Sequence, residues 1–190
     1  MKTRNIFIIL IAGLIVLSCN KDTNYLFDES PDERLAQKIS DYYSTLQQAA
    51  HGWIMTIETK EDGVYRLWMK FKAANRVEML CDMDATWNTK DATSSLIKES
   101  SYRIKAMQYP SLIFDTYNYI HLMADPQGTN PTYGNINGGV NGVGLASDFE
   151  FAMNDFKDGR VLLKGRYNSV TAYLEKATAE QESAVKAGAL

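Results

Sequence analysis

The sequence predicts an α+β, β-rich fold in which one N-terminal helix packs on a curled antiparallel meander sheet, a partial barrel being one form that the curl can take. Apolar residues recur with a helical period over about residues 31–50. Beyond Gly52 the period changes to two, which is typical of strands with one buried face. Turn residues divide this alternating part into roughly seven or eight short runs. These observations together predict a single folded domain.

Residues 1–18 have the pattern of a bacterial signal peptide, which does not belong to the fold. Lys2 and Arg4 precede an apolar run that ends at the small residue Ser18. The run is too short to cross a bilayer core as a stable helix. Cys19 follows directly, as in a lipobox. We therefore expect acylation of the Cys19 thiol, with palmitate among the chains, and anchoring of the mature protein by its lipid.

The residues directly after Cys19 predict the membrane in which the lipoprotein is anchored. Asn20 stands where an Asp would indicate retention at the inner membrane, so the outer membrane is the predicted location. Lys21 and Asp22 match a surface-export signal only weakly, which leaves the periplasmic and the cell-surface face both open. We expect residues 19–29 to form a lipidated tether and residues 30–190 to form one domain.

The net charge argues against a nucleic-acid-binding protein, and the cysteine content argues against a disulfide-stabilised one. The whole chain has a formal charge of −3, and the loss of Lys2 and Arg4 with the signal peptide makes it about −5. An acidic chain without a basic cluster is not expected to bind nucleic acid. Once Cys19 is acylated only Cys81 remains, so an intramolecular disulfide is not expected. Cys81 lies in an alternating apolar run and is interpreted as a small buried hydrophobic residue.

The predicted helix has a clear start. Ser30 is an expected N-cap, Pro31 suits the first helical position, and Glu33 completes a capping box. Gly52 is a plausible stop. The apolar stripe that should face the sheet consists of Leu35, Ile39, Tyr42, Leu46 and Ala49.

The strands follow from alternation. One strand should bury Tyr65, Leu67, Met69 and Phe71, and its hairpin neighbour should bury Val77, Met79 and Cys81. Short connections are expected at residues 62–63 and 73–75. A third run contains Tyr102, Ile104 and Ala106. Later runs are expected at residues 148–153, 160–166 and 171–176, with turns at 154–159 and 167–169.

Two segments interrupt the meander. Residues 111–115 are predicted to form a short strand, after which Asp115 caps a helix over residues 116–124 that Pro126 ends. A single longer helix is the alternative that periodicity leaves open. Residues 127–145 are rich in Gly and Asn and are predicted to be a long loop, which is often functional or disordered.

No local motif assigns chemistry to the chain. The glycine-rich run 138–144 lacks the context of a phosphate-binding loop, and Asp82, Asp84 and Asn88 do not complete a calcium loop. His51 and His121 show no spacing that favours haem ligation. The chain contains no nucleophile elbow and no zinc-binding helix motif. We therefore expect no catalytic residue, no metal ligand and no cofactor.

Aromatic residues are the remaining candidates for ligand binding. Most should lie in the core of a β-rich domain. Trp68 alternates with the buried face of its strand and so lies on the charged face, and Trp87 lies in a polar segment. These two are weak candidates, since exposed aromatic side chains often mark binding surfaces but are also common singly.

Several segments carry a resemblance to a known family. They are residues 27–34, 52–53, 69–71, 75–77, 99–103, 110–117, 147–151 and 176–178. Following a lipobox, these segments resemble a Bacteroidetes lipoprotein family catalogued as domain of unknown function family 4302, over nearly the whole mature chain. Members of that family tend to be longer, so the resemblance implies that residues 30–190 can correspond to the N-terminal half of a longer architecture.

The resemblance implies a context and no catalytic residues. Such lipoproteins tend to be encoded beside outer-membrane nutrient importers of the SusC and SusD type. We therefore expect a lipid-anchored, non-catalytic accessory or binding protein of such an uptake system, with the membrane and importer subunits as partners. The alternative is a hydrolase whose carboxylates converge only in the fold, recognisable as two carboxylates facing each other across a cleft.

Overall fold

The computed structural model describes residues 29–60, 63–82, 97–126, 129–130, 134–135, 142, 144–188 and 190. The chain divides into two units, Met1–Arg34 and Leu35–Leu190. In the first unit the described part begins the N-terminal helix, where Ser30 and Glu33 form the predicted capping box. The Ser30 amide donates to Glu33 Oε2 at 2.8 Å, and the Glu33 amide donates to Ser30 Oγ at 3.3 Å.

Three helices lie within the described residues. They are α1 (Pro31–Gln47), α2 (Tyr119–Ala124) and α3 (Ala179–Lys186). None of the helices in these ranges has the length and apolar character needed to cross a bilayer. The predicted first helix is confirmed, although it ends at Gln47 and a turn leads from there to Gly52.

The strands are short and separated by turns. They are β1 (Trp53–Glu58), β2 (Val64–Lys72), β3 (Arg76–Cys81), β4 (Lys98–Lys105), β5 (Ser111–Phe114), β6 (Thr129–Asn130), β7 (Gly134–Asn135), β8 (Glu150–Lys157), β9 (Arg160–Gly165) and β10 (Thr171–Lys176). Strands β6 and β7 pair with each other as a small separate sheet inside the predicted Gly- and Asn-rich loop.

The other eight strands form a closed antiparallel barrel in the order β1, β10, β9, β8, β5, β4, β3, β2. The barrel closes because β1 pairs with β2 on one side and with β10 on the other. The β-rich fold with a helix and a curled meander is therefore confirmed, and the curl is complete. A closed barrel has no unpaired strand edge, which removes the usual site of edge-to-edge aggregation.

The interior of the barrel is filled with side chains. The predicted inward faces of β2 and β3 are correct, since Leu67, Met69, Phe71, Val77, Met79 and Cys81 are all buried in one cluster. The side chains from the remaining barrel strands in the same cluster are Trp53, Met55, Ile57, Tyr102, Ile104, Leu112, Phe114, Phe151, Met153, Val161, Leu163, Ala172 and Leu174. An eight-stranded barrel can be filled by its own side chains or can hold one small ligand, and here buried side chains from all eight strands fill the interior as a packed core.

The two ends of the barrel are covered by different helices. At the end where β1 begins, α1 buries Tyr42, Leu46 and Ala49 in the barrel core, and Trp53 Nε1 donates to the Leu46 carbonyl at 2.9 Å. At the opposite end, α2 contributes Tyr119, Ile120, Leu122 and Met123 to the same core. Both ends of the packed interior are therefore sealed by apolar helix faces.

The structure corrects the predicted exposure of Trp68. Alternation places it on the outward face of β2, but its side chain is only 1% exposed. The helix α3 lies over this outward face, and Trp68 packs there with Ile54, Leu80 and Val185. Its Nε1 donates to the His51 carbonyl at 2.9 Å. An outward-facing side chain is buried here because a second layer covers that part of the barrel.

Two boundaries also differ from the predictions. The N-cap of α2 is Asn118, whose side chain accepts from the Tyr119 amide at 2.7 Å, and not Asp115. The predicted strand before this helix is confirmed as β5, which excludes the alternative of one longer helix. The predicted turn at 154–159 is shorter, because β8 continues through a bulge to Lys157 and only Asp158 and Gly159 form the turn, both with positive φ.

An ion-pair network holds α3 on the barrel and predicts a pH effect. Glu182 lies 2.8 Å from His51 Nδ1 and 3.0 Å from Lys186 Nζ. The hydrogen bond from His51, and after it the one from Lys186, lowers the pKa of Glu182 to about 2. Because this pKa lies below the ordinary value of 4.5, the ionised carboxylate stabilises the fold above that pH, and the contribution is lost as the pH falls toward 2.

We expect the melting temperature of the wild-type protein to fall more steeply than that of Glu182→Gln between about pH 5 and about pH 2.5. Glu58→Gln, which removes an exposed carboxylate at the end of β1, is the control and should keep the wild-type slope. Thermal unfolding followed by circular dichroism measures both slopes. Equal slopes for Glu182→Gln and wild type would contradict the assigned role of the network.

Candidate functional site

An open cleft lies at the end of the barrel that α2 covers. Its volume is about 670 Å³, within the range of small-molecule sites. Three parts of the chain form its wall: the end of α2, the segment that leads into β8, and the turn between β9 and β10. The residues lining it are Ala124, Pro126, Gly142, Ser147, Asp148, Phe149, Glu150, Arg166, Tyr167 and Asn168.

Asp148 is the structural anchor of this cleft. Its Oδ1 accepts from the amides of Tyr167 at 2.8 Å and Asn168 at 2.9 Å, and its Oδ2 accepts from the Val170 amide at 3.3 Å. A Cβ on Gly165 would lie only 1.9 Å from Oδ2, so the absence of a side chain there makes room for the carboxylate. Both oxygens of this buried group are therefore engaged in holding the β9–β10 turn.

Ser147 ties the same turn to α2. The Asn168 side chain donates to the Ser147 carbonyl at 2.6 Å, and the Ser147 amide donates to the Met123 carbonyl at 3.4 Å. The Ser147 hydroxyl is buried and has no hydrogen-bond partner among the described residues. One side-chain and one backbone hydrogen bond thus join the β9–β10 turn, the segment before β8 and the end of α2 in the wall of the cleft.

Glu150 and Arg166 supply charges of both signs to the cleft. Glu150 begins β8 and Arg166 directly follows β9, and the Arg166 amide donates to the Glu150 carbonyl at 3.0 Å. Arg166 Nη1 donates to the hydroxyl of Ser111 at 3.3 Å, which is a neutral partner. Within the described part of the chain, neither Glu150 nor Arg166 forms an ion pair. The cleft lining therefore contains a charged acceptor and a charged donor, on hydrogen-bonded backbone neighbours, that form no ion pair with each other.

Aromatic side chains flank the cleft. The rings of Tyr117, His121 and Phe149 form a stack, with centroids 5.6 Å apart in the first pair and 4.8 Å apart in the second. Tyr117 is 53% exposed and Phe149 is 38% exposed. Tyr167, on the turn that Asp148 holds, is 92% exposed. Such a group of exposed rings beside one cleft is a stronger indication of binding than a single exposed ring.

His121 positions the stack and does not act as a base in it. A backbone carbonyl can only accept and an amide N–H can only donate, so Nε2 donates to the Phe114 carbonyl at 3.0 Å and Nδ1 accepts from the Asn118 amide at 3.2 Å. Burial lowers the pKa of His121, and the hydrogen bond to Phe114 opposes that shift only in part. The imidazole is therefore neutral, and both ring nitrogens are engaged.

The residues proposed from sequence lie elsewhere. Trp68 is buried beneath α3, which removes the exposure that made it a candidate. Trp87 and Cys19 lie outside the described residues. His51 sits before β1, and His121 binds the carbonyl at the end of β5. The two histidines are thus at opposite ends of the barrel and cannot share one iron.

Sequence reasoning missed the residues that line the cleft. No local spacing connects Phe149, Glu150, Arg166 and Tyr167, because they meet only through the pairing of β8 with β9 and the turn that follows. No group of three or more potential metal ligands occurs among the residues that the structure describes. Glu150 and Asp148 do share the cleft, but Asp148 already accepts three backbone hydrogen bonds.

Comparison with protein-family models gives a match over most of the chain. The sequence model of a family described as a domain of unknown function, DUF4302, matches residues 23–189. No curated protein and no solved structure matches the chain.

Proposed function

The chain belongs to the family of domain of unknown function DUF4302, and on that premise we propose that it is a lipid-anchored, non-catalytic accessory protein of a Bacteroidetes outer-membrane nutrient importer of the SusC and SusD type. Its role is to bind a ligand of that importer in the cleft at the α2 end of the barrel. The anchor is the acylated thiol of Cys19, and residues up to 29 form the tether.

One observation carries the binding role. The barrel interior is filled, and its ends are covered by α1 and α2, so a ligand has to bind outside the core. The cleft of about 670 Å³ supplies an outside surface of suitable size, with aromatic rings and polar groups converging on it. This combination of a rigid scaffold with binding residues on its connections is typical of ligand-binding domains.

The state of the carboxylates supports binding over catalysis. A two-carboxylate hydrolase needs one group as acid and the other as base or nucleophile. Asp148 accepts hydrogen bonds from three backbone amides and is committed to the β9–β10 turn. Glu150 is then left without a carboxylate partner in the cleft lining.

The proposed anchoring and partnership are tested by one fractionation experiment in the native bacterium. Wild-type protein should sediment with membranes and, after detergent solubilisation, co-purify with the importer subunits. Cys19→Ala should move to the soluble fraction with its fold intact, because the acyl chains and not the domain supply the membrane affinity. Cys81→Ala alters the buried cysteine and is the control that should stay with the membrane.

Three results would contradict this function. Membrane association of Cys19→Ala would remove the lipid anchor from the proposal. Wild-type protein that co-purifies with no importer subunit, together with unchanged growth of a deletion strain on every substrate of that importer, would remove the accessory role. Hydrolysis of a substrate by the wild type that is lost in Glu150→Gln would favour the hydrolase instead.

A further inference from the structure

The charges in the cleft restrict the class of ligand. A single cation, Arg166, lines the described part of the cleft beside the carboxylates of Asp148 and Glu150. A polyanion would meet Glu150, and a cationic ligand would meet Arg166. A neutral ligand that carries both hydrogen-bond donors and acceptors can satisfy Glu150 and Arg166 at once, as neighbouring hydroxyl groups do.

The aromatic surfaces add a second requirement. One face of the Phe149 ring lies on His121, with centroids 4.8 Å apart, and Phe149 lines the cleft with 38% of its surface exposed. Tyr167 extends from the turn with 92% of its surface exposed. The negative face of an aromatic ring attracts partly positive C–H groups. The ligand should therefore combine hydroxyl groups on its edges with flat C–H faces.

From these two features we propose that the cleft binds a neutral oligosaccharide. Sugar rings carry hydroxyl groups around their edges and C–H groups on their faces. Phe149 and Tyr167 stack on ring faces, and Glu150 and Arg166 bind hydroxyls. The exposure of Phe149 and Tyr167 leaves the cleft open to solvent, which suits a segment within a longer glycan chain. The assignment rests on the proposed binding role of the same cleft and names its ligand class.

The test uses purified acylated protein in detergent and isothermal titration calorimetry. The probes are four neutral hexasaccharides, of α-1,4-glucan, β-1,4-glucan, β-1,4-xylan and β-1,4-mannan, with an oligogalacturonate as the anionic probe and a hexapeptide as the peptide probe. We expect at least one neutral hexasaccharide to bind. Tyr167→Ala should weaken that binding about tenfold, the size expected for one lost aromatic contact.

Matched variants separate binding from folding. Tyr167 is almost fully exposed, so its removal should leave the melting temperature unchanged. Phe149→Leu keeps an apolar side chain but removes the flat ring, and it too should weaken binding. Tyr109→Ala removes an aromatic that is 55% exposed in the β4–β5 connection, away from the cleft lining, and should bind like the wild type.

The outcomes test the carbohydrate assignment separately from the proposed accessory role. Binding of the anionic probe or the peptide in place of every neutral hexasaccharide would overturn the carbohydrate assignment, as would binding that Tyr167→Ala and Phe149→Leu leave unchanged. Co-purification with importer subunits without binding to any neutral hexasaccharide would overturn the assignment while the accessory role stands. Hexasaccharide binding by a protein that co-purifies with no importer subunit, together with unchanged growth of the deletion strain, would support the assignment and overturn the accessory role.

Discussion

Replacing Leu67 with Asp is expected to abolish folding of the barrel. Leu67 lies on β2 and points into the filled interior, where its side chain is fully buried. An ionised carboxylate there would be surrounded by apolar side chains with no partner to offset its lost hydration. The cost should exceed about 4 kcal/mol, a large part of the stability of a typical domain.

The matched control carries the same new charge on the outward face. Lys164→Asp changes an exposed position of β9 and should fold like the wild type. Lys70, although also on an outward position of β2, is a poor control because its ammonium group donates to the carbonyls of Ala49 and Ala50 after α1. Leu67→Ala should fold with a loss of about 2–5 kcal/mol. Far-UV circular dichroism and urea unfolding measure these effects, and a folded Leu67→Asp would mean that the inward face is misassigned.

Replacing Asp148 with Ala is expected to release the turn between β9 and β10. Three backbone amides, those of Tyr167, Asn168 and Val170, would lose their acceptor at once. Because hydrogen bonds to a charged group are stronger than neutral ones, we expect a loss of about 3 kcal/mol or more. Asp148→Asn should fall between wild type and Asp148→Ala, since one oxygen remains but the new amide group faces a backbone donor.

The neighbouring carboxylate provides the control. Glu150→Gln changes a cleft residue whose side chain forms no ion pair within the described part of the chain, and its stability should match the wild type. Urea unfolding, together with amide hydrogen exchange at Tyr167 and Asn168, measures the difference. Two results together would contradict this role: Asp148→Asn with the wild-type free energy of unfolding, and no faster amide exchange at Tyr167 and Asn168 in either Asp148 variant. Asp148 would then not hold the turn, and its carboxylate would be available for catalysis.

Alternation in the sequence predicts which side chains of β2 and β3 point inward, because the period of a strand is fixed by its geometry. It does not predict what covers the outward side. Trp68 alternates correctly and is nevertheless buried, because α3 forms a second layer over it. A signal for that helix does exist: Thr178 and Gln181 form a capping box, with the Thr178 amide donating to Gln181 Oε1 at 2.8 Å.

The residues that line the cleft could not be predicted from local sequence patterns, for a different reason. Its residues come from the end of α2, the start of β8 and the turn after β9, which are separated in sequence by tens of residues. Their meeting depends on the register that pairs Phe151 with Gly165, and a pattern within one strand does not specify pairing with another. Exposed positions such as Tyr167 also lack the periodic apolar signal by which buried positions are recognised.

Closure of the barrel has a consequence for how the chain reaches its native state. The first strand pairs with the last, from Trp53 opposite Lys176 to Glu58 opposite Thr171, so the final ladder joins positions more than a hundred residues apart. Contacts of such long range are entropically costly to form and slow folding. Because the chain is synthesised from its N-terminus, β1 cannot pair with β10 until β10 has been made. Until then the edge of β1 that will face β10 is unpaired. We therefore expect slow refolding. The partly synthesised chain, which exposes this unpaired edge, is the form that most needs a chaperone to prevent aggregation.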